Sequence, residues 1–409
     1  MKRICWTALP VLLAIAPASH AQSVGYEETL EAAISGQPQV RTSELRLDAR
    51  REIAEAADEL PDPQLRGGIR NLPVTGPDIL DPTMMTMVEI GIEQDFPNLA
   101  ERRARAGIAS ADIDFASAQL AHARHMARLG AGRAWISLAY AQRADLVVGE
   151  ALDEIERLVP LARSSVAAGT ARPGESLEIR RAVLEVEDAR TRVAAEREAA
   201  QARLARFIGA ENAVASGEIP PVDIQAERLR ATLEYNPEII LAAAQVRQAE
   251  AAIDLARSDL RPDFSVGVSY GVRERQYGDL FSVMGTVTLP LFSKKRQEPR
   301  IAAARSEAAA AREAQLDELR ALEAQFEADL AAWRSAYRQW QRATEELLPL
   351  AESRAELERA SFAAGRAELL DVIEAIKALA LLRIDILERE EATVEAAANL
   401  RLTYREHHL

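Results

Sequence analysis

Cysteine is all but missing from this chain. Only Cys5 occurs among the 409 residues, and it sits in the first apolar stretch, so the chain beyond it offers neither a disulfide nor a thiolate metal site. Histidine is nearly as scarce: His122, His125, His407 and His408 are the ones beyond residue 21. The sequence has no glycine-rich phosphate loop and no serine-centred nucleophile elbow. The expectation is a protein that is not an enzyme and holds no cofactor or resident metal. Excess positive charge is missing too, since 50 basic against 64 acidic residues give −14. Nucleic acid, whose phosphates need a basic face, is therefore not an expected partner. No uncharged apolar run of about eighteen residues follows the N-terminal stretch. The best candidate, Leu369–Leu387, is interrupted by Asp371, Glu374, Lys377, Arg383 and Asp385. That leaves a soluble periplasmic protein or a membrane β-barrel, because a closed barrel also satisfies backbone polar groups in lipid.

What is present begins with an export signal. Lys2 and Arg3 are followed by the apolar Ile4–Pro17 and the small residues of Ser19-His20-Ala21. This order predicts a signal peptide over residues 1–21, too short to persist as a spanning helix. Cys5 lies at the wrong end of it to be a lipidation site, so no lipid anchor is expected. Loss of Lys2 and Arg3 leaves 48 basic residues against 64 acidic, or −16. Such a balance favours cations and is also ordinary for solubility.

The remainder runs twice through one layout. A helical stretch near Tyr26–Leu60 containing Gln37-Pro38 is followed by Leu60-Pro61-Asp62-Pro63-Gln64-Leu65, two strand-like stretches and a very long helical run. A break at Ala167–Ala171 and a second helix to about Gly209 complete it. Asn236-Pro237, Leu260-Arg261-Pro262-Asp263-Phe264 and the break at Ala363–Ala367 repeat these landmarks. The pairs Pro38/Pro237, Leu65/Phe264 and Gly169/Gly365 are 199, 199 and 196 residues apart, which indicates an internal duplication. The predicted copies are residues 22–217 and 218–409, joined near Glu218-Ile219-Pro220-Pro221-Val222 and too interleaved to be independent domains.

The long helices carry a coiled-coil period. Leu319, Leu322, Phe326, Leu330, Trp333, Tyr337, Trp340, Thr344 and Leu347 follow at steps of 3 or 4, an average near 3.5. Alanine fills the positions between them and permits close helix approach. Proline is absent from Leu99 to Val159 and from Gly365 onward. About sixty helical residues make a rod on the order of 90 Å, which must pack on another rod. A fibrous coiled coil would satisfy the helices alone. The strands argue further: Phe264, Val266, Val268, Tyr270 and Val272 alternate with Ser265, Gly267, Ser269 and Gly271, and Val88, Ile90 and Ile92 with Glu89, Gly91 and Glu93. A lipid-facing barrel alternates in this way, as does a soluble sheet packed on helices. Four strands cannot close a pore alone, so a barrel requires several subunits.

With a signal peptide, a duplicated helix–hairpin–long-helix-pair unit and two glycine-centred breaks, the chain resembles the TolC-type outer-membrane efflux proteins. That resemblance implies a mainly α fold with a small β part. It further implies a homotrimer whose twelve strands form a barrel in outer-membrane lipid above a periplasmic α-helical tunnel. The implied partners are a periplasmic adaptor and an inner-membrane pump, and the chain would be their passive exit duct. Leu60-Pro61-Asp62-Pro63-Gln64-Leu65, Asn71-Leu72-Pro73-Val74 and Met84–Ile92 leading into Glu93-Gln94-Asp95-Phe96-Pro97 resemble the heavy-metal-cation branch. The branch's Gly-Lys-Arg appears only as Glu101-Arg102-Arg103. A type I protein-secretion outlet shares the fold. A periplasmic adaptor or structural coiled coil is the alternative of another class, although an adaptor has a single helical hairpin.

The same resemblance points to sites. Asp371 and Glu374 follow the second glycine break and resemble paired carboxylates ringing the periplasmic entrance, with Arg366 as a closing partner. Glu175 is the first-copy equivalent of Asp371, although Arg172-Pro173-Gly174 departs from the second copy. Both carboxylates equally suit the first turn of a helix, where the dipole favours negative charge. Gly169, Thr170, Gly365 and Arg366 mark the turns expected to dock the adaptor. His122 and His125, three apart on a helix, and Met84, Met85 and Met87 are possible metal ligands. A polar helix face and barrel-wall residues are the plainer readings, and His407-His408 reads as a tail.

Overall fold

The computed structural model describes residues 22–77, 79–80, 85–167, 172–210 and 212–404. The first half of the chain forms β1 (Gln22–Val24), α1 (Tyr26–Gly36), α2 (Pro38–Glu55), β2 (Gln64–Arg70), β3 (Met87–Phe96), α3 (Leu99–Ala167), α4 (Pro173–Ile208) and β4 (Ala213–Ala215). The second half forms α5 (Ala226–Arg230), α6 (Pro237–Ser258), β5 (Asp263–Val272), β6 (Leu280–Thr288), α7 (Gln297–Arg342), α8 (Leu348–Ala363) and α9 (Leu369–Tyr404). The order helix, strand pair, long helix, long helix thus occurs twice, as α2-β2-β3-α3-α4 and as α6-β5-β6-α7/α8-α9. The fold is mainly α with a small β part, built from a duplicated unit. At 69 residues, α3 is a rod of about 100 Å, and it continues through Pro160.

Local chemistry places the boundaries. The single helix expected over Tyr26–Leu60 is two helices broken at Gln37. Pro38 occupies the first position of α2, where a missing N–H costs nothing, and it forces Gln37 into extended backbone at φ −75, ψ 122. Asn236-Pro237 repeats this at α6, where the Asn236 side chain also accepts the Glu238 N–H at 2.9 Å. Gly209 closes α4 in the left-handed region at φ 71, with its N–H on the Ala205 carbonyl.

The chain gathers into two compact units, each drawing on both halves. The first comprises residues up to Ala33, Gly130–Val222 and Ser335–Ala398. Its main seam joins three helices: Val148, Leu152 and Ile155 of α3, Ile179, Val186 and Val193 of α4, and Val372, Ile373 and Ile376 of α9. A second cluster surrounds Trp135 of α3. There β1 pairs in parallel with β4, the Trp135 indole donates to the Val24 carbonyl at 2.9 Å, and Tyr26 meets its ring edge-on at 5.4 Å. At Gly130 a Cβ would sit 2.5 Å from the Phe207 ring, so this approach of α3 to α4 requires glycine.

The expected seam departs from its period in this unit. Tyr337 and Trp340 keep it, but Ala343 is fully buried while Thr344 and Leu347 are exposed. A π turn over Ala343–Leu347 is the cause: one i→i+5 turn inserts a residue and rotates the apolar stripe. It stands just before Pro349, whose ring and missing N–H disrupt regular helix there.

The second unit comprises Ile34–Leu129, Asp223–Arg334 and the residues from Asn399. Here the seam holds, with Leu322, Phe326 and Leu330 of α7 buried against Leu233, Ile239, Leu400 and Tyr404. Each such side chain contributes about 1.5–3 kcal/mol by leaving water. Tyr404 meets Phe326 edge-on at 5.0 Å and donates to Asp329 at 2.8 Å, and Asn236 donates to the Thr403 carbonyl at 2.8 Å. The unit also holds a four-stranded antiparallel sheet in the order β2-β3-β5-β6.

Candidate functional site

The sheet has its polarity reversed. Leu65 faces Ile92 and Ile69 faces Val88 across β2–β3, while Ile90 pairs with Tyr270 and Ile92 with Val268 across β3–β5. Val268 continues to Val283 and Tyr270 to Phe281 on β6, so the period-2 pattern collects on one apolar face. Nothing among the described residues covers that face: Val88 is 60% exposed, Ile90 55% and Val283 67%. On the opposite face the Glu89 and Glu93 side chains are only 15% and 21% exposed. Roughly a dozen large apolar side chains left in water would forfeit on the order of 20 kcal/mol or more. The sheet therefore calls for an apolar medium around it. Among the described residues its outer strands, β2 and β6, have no further partner strand, which is the condition for pairing with another chain. No helix among the described residues is long and apolar enough to cross a membrane.

The polar face has its own order. Arg66 pairs with Glu93, and Arg70 with Glu89 at 2.6 Å, so that cations from β2 lie over anions from β3. Ser265 adds a hydroxyl to Glu93 at 3.3 Å. The two ion pairs line an open hollow of about 320 Å³ whose floor includes Gly68, Gly91 and Gly267. Gly91 is obligatory for close strand approach, because a Cβ there would lie 2.8 Å from the Ser269 Cβ and 2.9 Å from the Val268 carbonyl. Where the strands meet the helices, Asn98 is a hub. Its side-chain oxygen accepts the Glu101 N–H of α3 at 2.9 Å, and its amide donates to Asp263 of β5 at 2.8 Å. Its backbone N–H reaches the same carboxylate at 2.9 Å.

In the first unit, α8 ends in a tight glycine turn before α9. Gly365 is left-handed at φ 69, and the Arg366 N–H donates to the Ser361 carbonyl at 2.8 Å. Asp371 then accepts the Glu368 N–H at 3.1 Å, capping its own helix. Glu175 does the same for the Arg172 N–H at 3.2 Å, so the two positions 196 residues apart play one structural role. Glu374 pairs with Lys377 at 2.7 Å, and Glu178 with Arg181 at 3.3 Å, again 196 apart. Within the chain the contacts of Asp371 and Glu374 run to the Glu368 N–H and to Lys377. Lys377 also reaches Glu185 of α4 at 2.8 Å. Burial alone would lower its pKa, but hydrogen bonds to Glu185 and Glu374 outweigh this and raise it above the ordinary lysine value. Gly169 and Thr170 lie outside the described residues, as do Met84, His407 and His408.

Further along α9 lies a group of acids facing α3 and α4. Burial pushes the Glu391 carboxyl up to about 7, the charges of Glu395, Glu196 and Glu388 add to this, and a hydrogen bond from Ser137 opposes it. His125 is buried and His122 partly exposed, and no cluster of three histidine or carboxylate groups among the described residues is arranged to hold a metal. Met85 precedes β3, and Met87 opens it on the polar face against Gly271.

The sequence profile of the outer membrane efflux proteins matches residues 29–210 and 229–403. The chain belongs to the outer membrane efflux protein family. No curated protein matches this efflux-family chain closely enough to compare. Among solved structures it is similar to a membrane protein from Pseudomonas aeruginosa, with 18% identity, 94% of this chain and 91% of that one covered, and a TM-score of 0.77. The Campylobacter jejuni CmeC outer membrane channel gives 12% identity, 93% and 85% coverage and a TM-score of 0.76. The outer membrane protein VceC from Vibrio cholerae gives 18%, 91% and 96%, and 0.69. At such identities these likenesses establish the fold. Within that fold Lys377, Glu185 and Asn98 went unmarked by the sequence, since the Lys377–Glu185 and Asn98–Asp263 contacts span 192 and 165 residues; the Asn98-x-x-Glu101 helix start and the 196-residue repeat of Glu178/Arg181 in Glu374/Lys377 were the readable signs.

Proposed function

We propose that this efflux protein is the outer-membrane exit duct of a tripartite export system, closed as a homotrimer and loaded by an inner-membrane pump through a periplasmic adaptor. The reading rests above all on the exposed apolar face of a sheet with two open edges, in a chain of this family. Three copies would supply twelve strands, with apolar faces toward lipid and the Arg66–Glu93 and Arg70–Glu89 pairs toward the lumen. Residues 1–21 act as a cleaved export signal without lipidation, and residues 22–217 and 218–409 are the two copies of the duplicated unit. Asp371, Glu374 and Arg366 are assigned to the periplasmic gate, and the turns at Gly169-Thr170 and Gly365-Arg366 to adaptor docking. The segment from Leu60 to Pro97 supports heavy-metal cations as the cargo selected by the pump. Detergent extracts of fractionated cells test the assembly: a trimer from the outer membrane is expected. Recovery as a soluble periplasmic monomer would refute the duct.

A further inference from the structure

We infer that Arg66 and Arg70 form an anion-accepting collar in the lumen of the duct, so that the barrel segment favours negatively charged groups of passing solutes. The inference rests on the channel reading but on none of its assumptions about cargo. It starts from an asymmetry in the two ion pairs. The Arg66 and Arg70 side chains are 64% and 51% exposed, against 21% and 15% for Glu93 and Glu89. The carboxylates lie at the floor of the sheet, and the guanidiniums cover them from the open side. Each guanidinium has five N–H donors in a planar fork, so a single paired carboxylate leaves donors to spare.

The position of β2 at the edge accounts for part of its exposure, but closing the ring adds no carboxylate. The strand left to flank β2 is β6, which presents Ser282, Met284, Thr286 and Thr288 on this face. The inward residues of β5 next to the pairs, Ser265, Gly267, Ser269 and Gly271, are likewise uncharged. Small residues beneath keep the 320 Å³ hollow open to a carboxylate- or phosphate-sized group. Because each arginine is already paired, binding is weak, as a passage site requires. The consequence is a duct whose barrel and whose acidic turn region favour opposite charges.

Reversal potentials of the purified channel in planar bilayers, under a potassium chloride gradient, test this. The R66Q/R70Q variant should shift the chloride-to-potassium permeability ratio down by at least about sevenfold, since even one unit charge about 7 Å from the ion path in water changes each ion's weight about threefold and in opposite senses for the two ions. The E89Q/E93Q variant should shift it up by a similar factor, and R66K/R70K should stay near wild type because charge is kept. If a double variant fails to run as the intact assembly, single R66Q and R70Q channels should give smaller shifts in the same direction. Unchanged ratios in assembled variants, or a rise with the glutamine-for-arginine change, would overturn the collar and leave the channel standing. A wild-type protein that assembles but does not conduct would remove the channel reading, and the collar with it.

Discussion

Replacing Glu391 by Gln should stabilise the protein at alkaline pH and barely affect it at pH 5. In the folded chain burial raises this carboxyl from the ordinary 4.5 to about 7, with Glu395 the next cause. Between those values the folded state binds more protons than the unfolded state, so stability falls as pH rises through the window and levels off above it. At about 1.4 kcal/mol per tenfold change in proton affinity, complete ionisation costs roughly 3 kcal/mol. The side chain is partly wet, and screening discounts this to about 2 kcal/mol per chain. Gln keeps the shape and can still accept from Ser137, but it carries no charge. Guanidinium unfolding of the detergent-solubilised assembly, followed by helical circular dichroism at pH 5 and pH 8, measures both curves. The wild type should lose stability between the two values. The variant should lose less, with a residual fall from Glu388, whose pKa burial also raises. Parallel curves for the two proteins would show that Glu391 ionises freely, and the packing argument would fail.

Three further outcomes follow from the same contacts. G91A should abolish the proposed assembly, measured as loss of an oligomer band by gel mobility, because its Cβ would meet the Ser269 Cβ at 2.8 Å and the Val268 backbone carbonyl. N98A should lower the unfolding free energy by roughly 2 kcal/mol, from a lost helix cap and one of the two Asn98 hydrogen bonds to Asp263; an unchanged denaturant midpoint would mean the hub is idle. D371A/E374A channels should conduct more and be less cation-selective in planar bilayers, with block by multivalent cations from the periplasmic side relieved. Wild-type conductance, selectivity and block in an intact assembly would leave Asp371 as a helix cap and Glu374 as the partner of Lys377.

Much of the fold could be read from short-range pattern. The 3.5-residue spacing that buries Leu322, Phe326 and Leu330 and the alternation that exposes Val266 and Val268 depend only on side-chain period. Pro38 and Pro237 open α2 and α6, although the sequence pattern places Pro38 inside a single helix. The extent of the seam was not readable, since the π turn depends on how Ala343 packs and on Pro349 ahead of it. Ion pairs in the sheet were hidden for another reason. Arg66 and Glu93 are separated by the β2–β3 loop, and only the register that sets Gln64 opposite Glu93 brings them together. The Glu391 carboxyl is hidden likewise, because its burial is made by α3 and α4 and not by its neighbours on α9.

The pairing of β3 with β5 bears on how such a ring is built. These strands belong to different halves, yet they bond along nine residue pairs, from Val88↔Val272 to Phe96↔Phe264. Joined by one chain, the halves meet at an effective concentration set by the tether, on the order of millimolar. Separate half-length chains would have to find each other at their dilute concentration, and the ring would need twice as many independent collisions. In a trimer, every second seam between hairpins is therefore settled during folding, and only the β6-to-β2 seams are left to mass action. Assembly then depends on the third power of chain concentration rather than the sixth. Under the proposed trimeric barrel, duplication is a kinetic safeguard against aggregation of the apolar face.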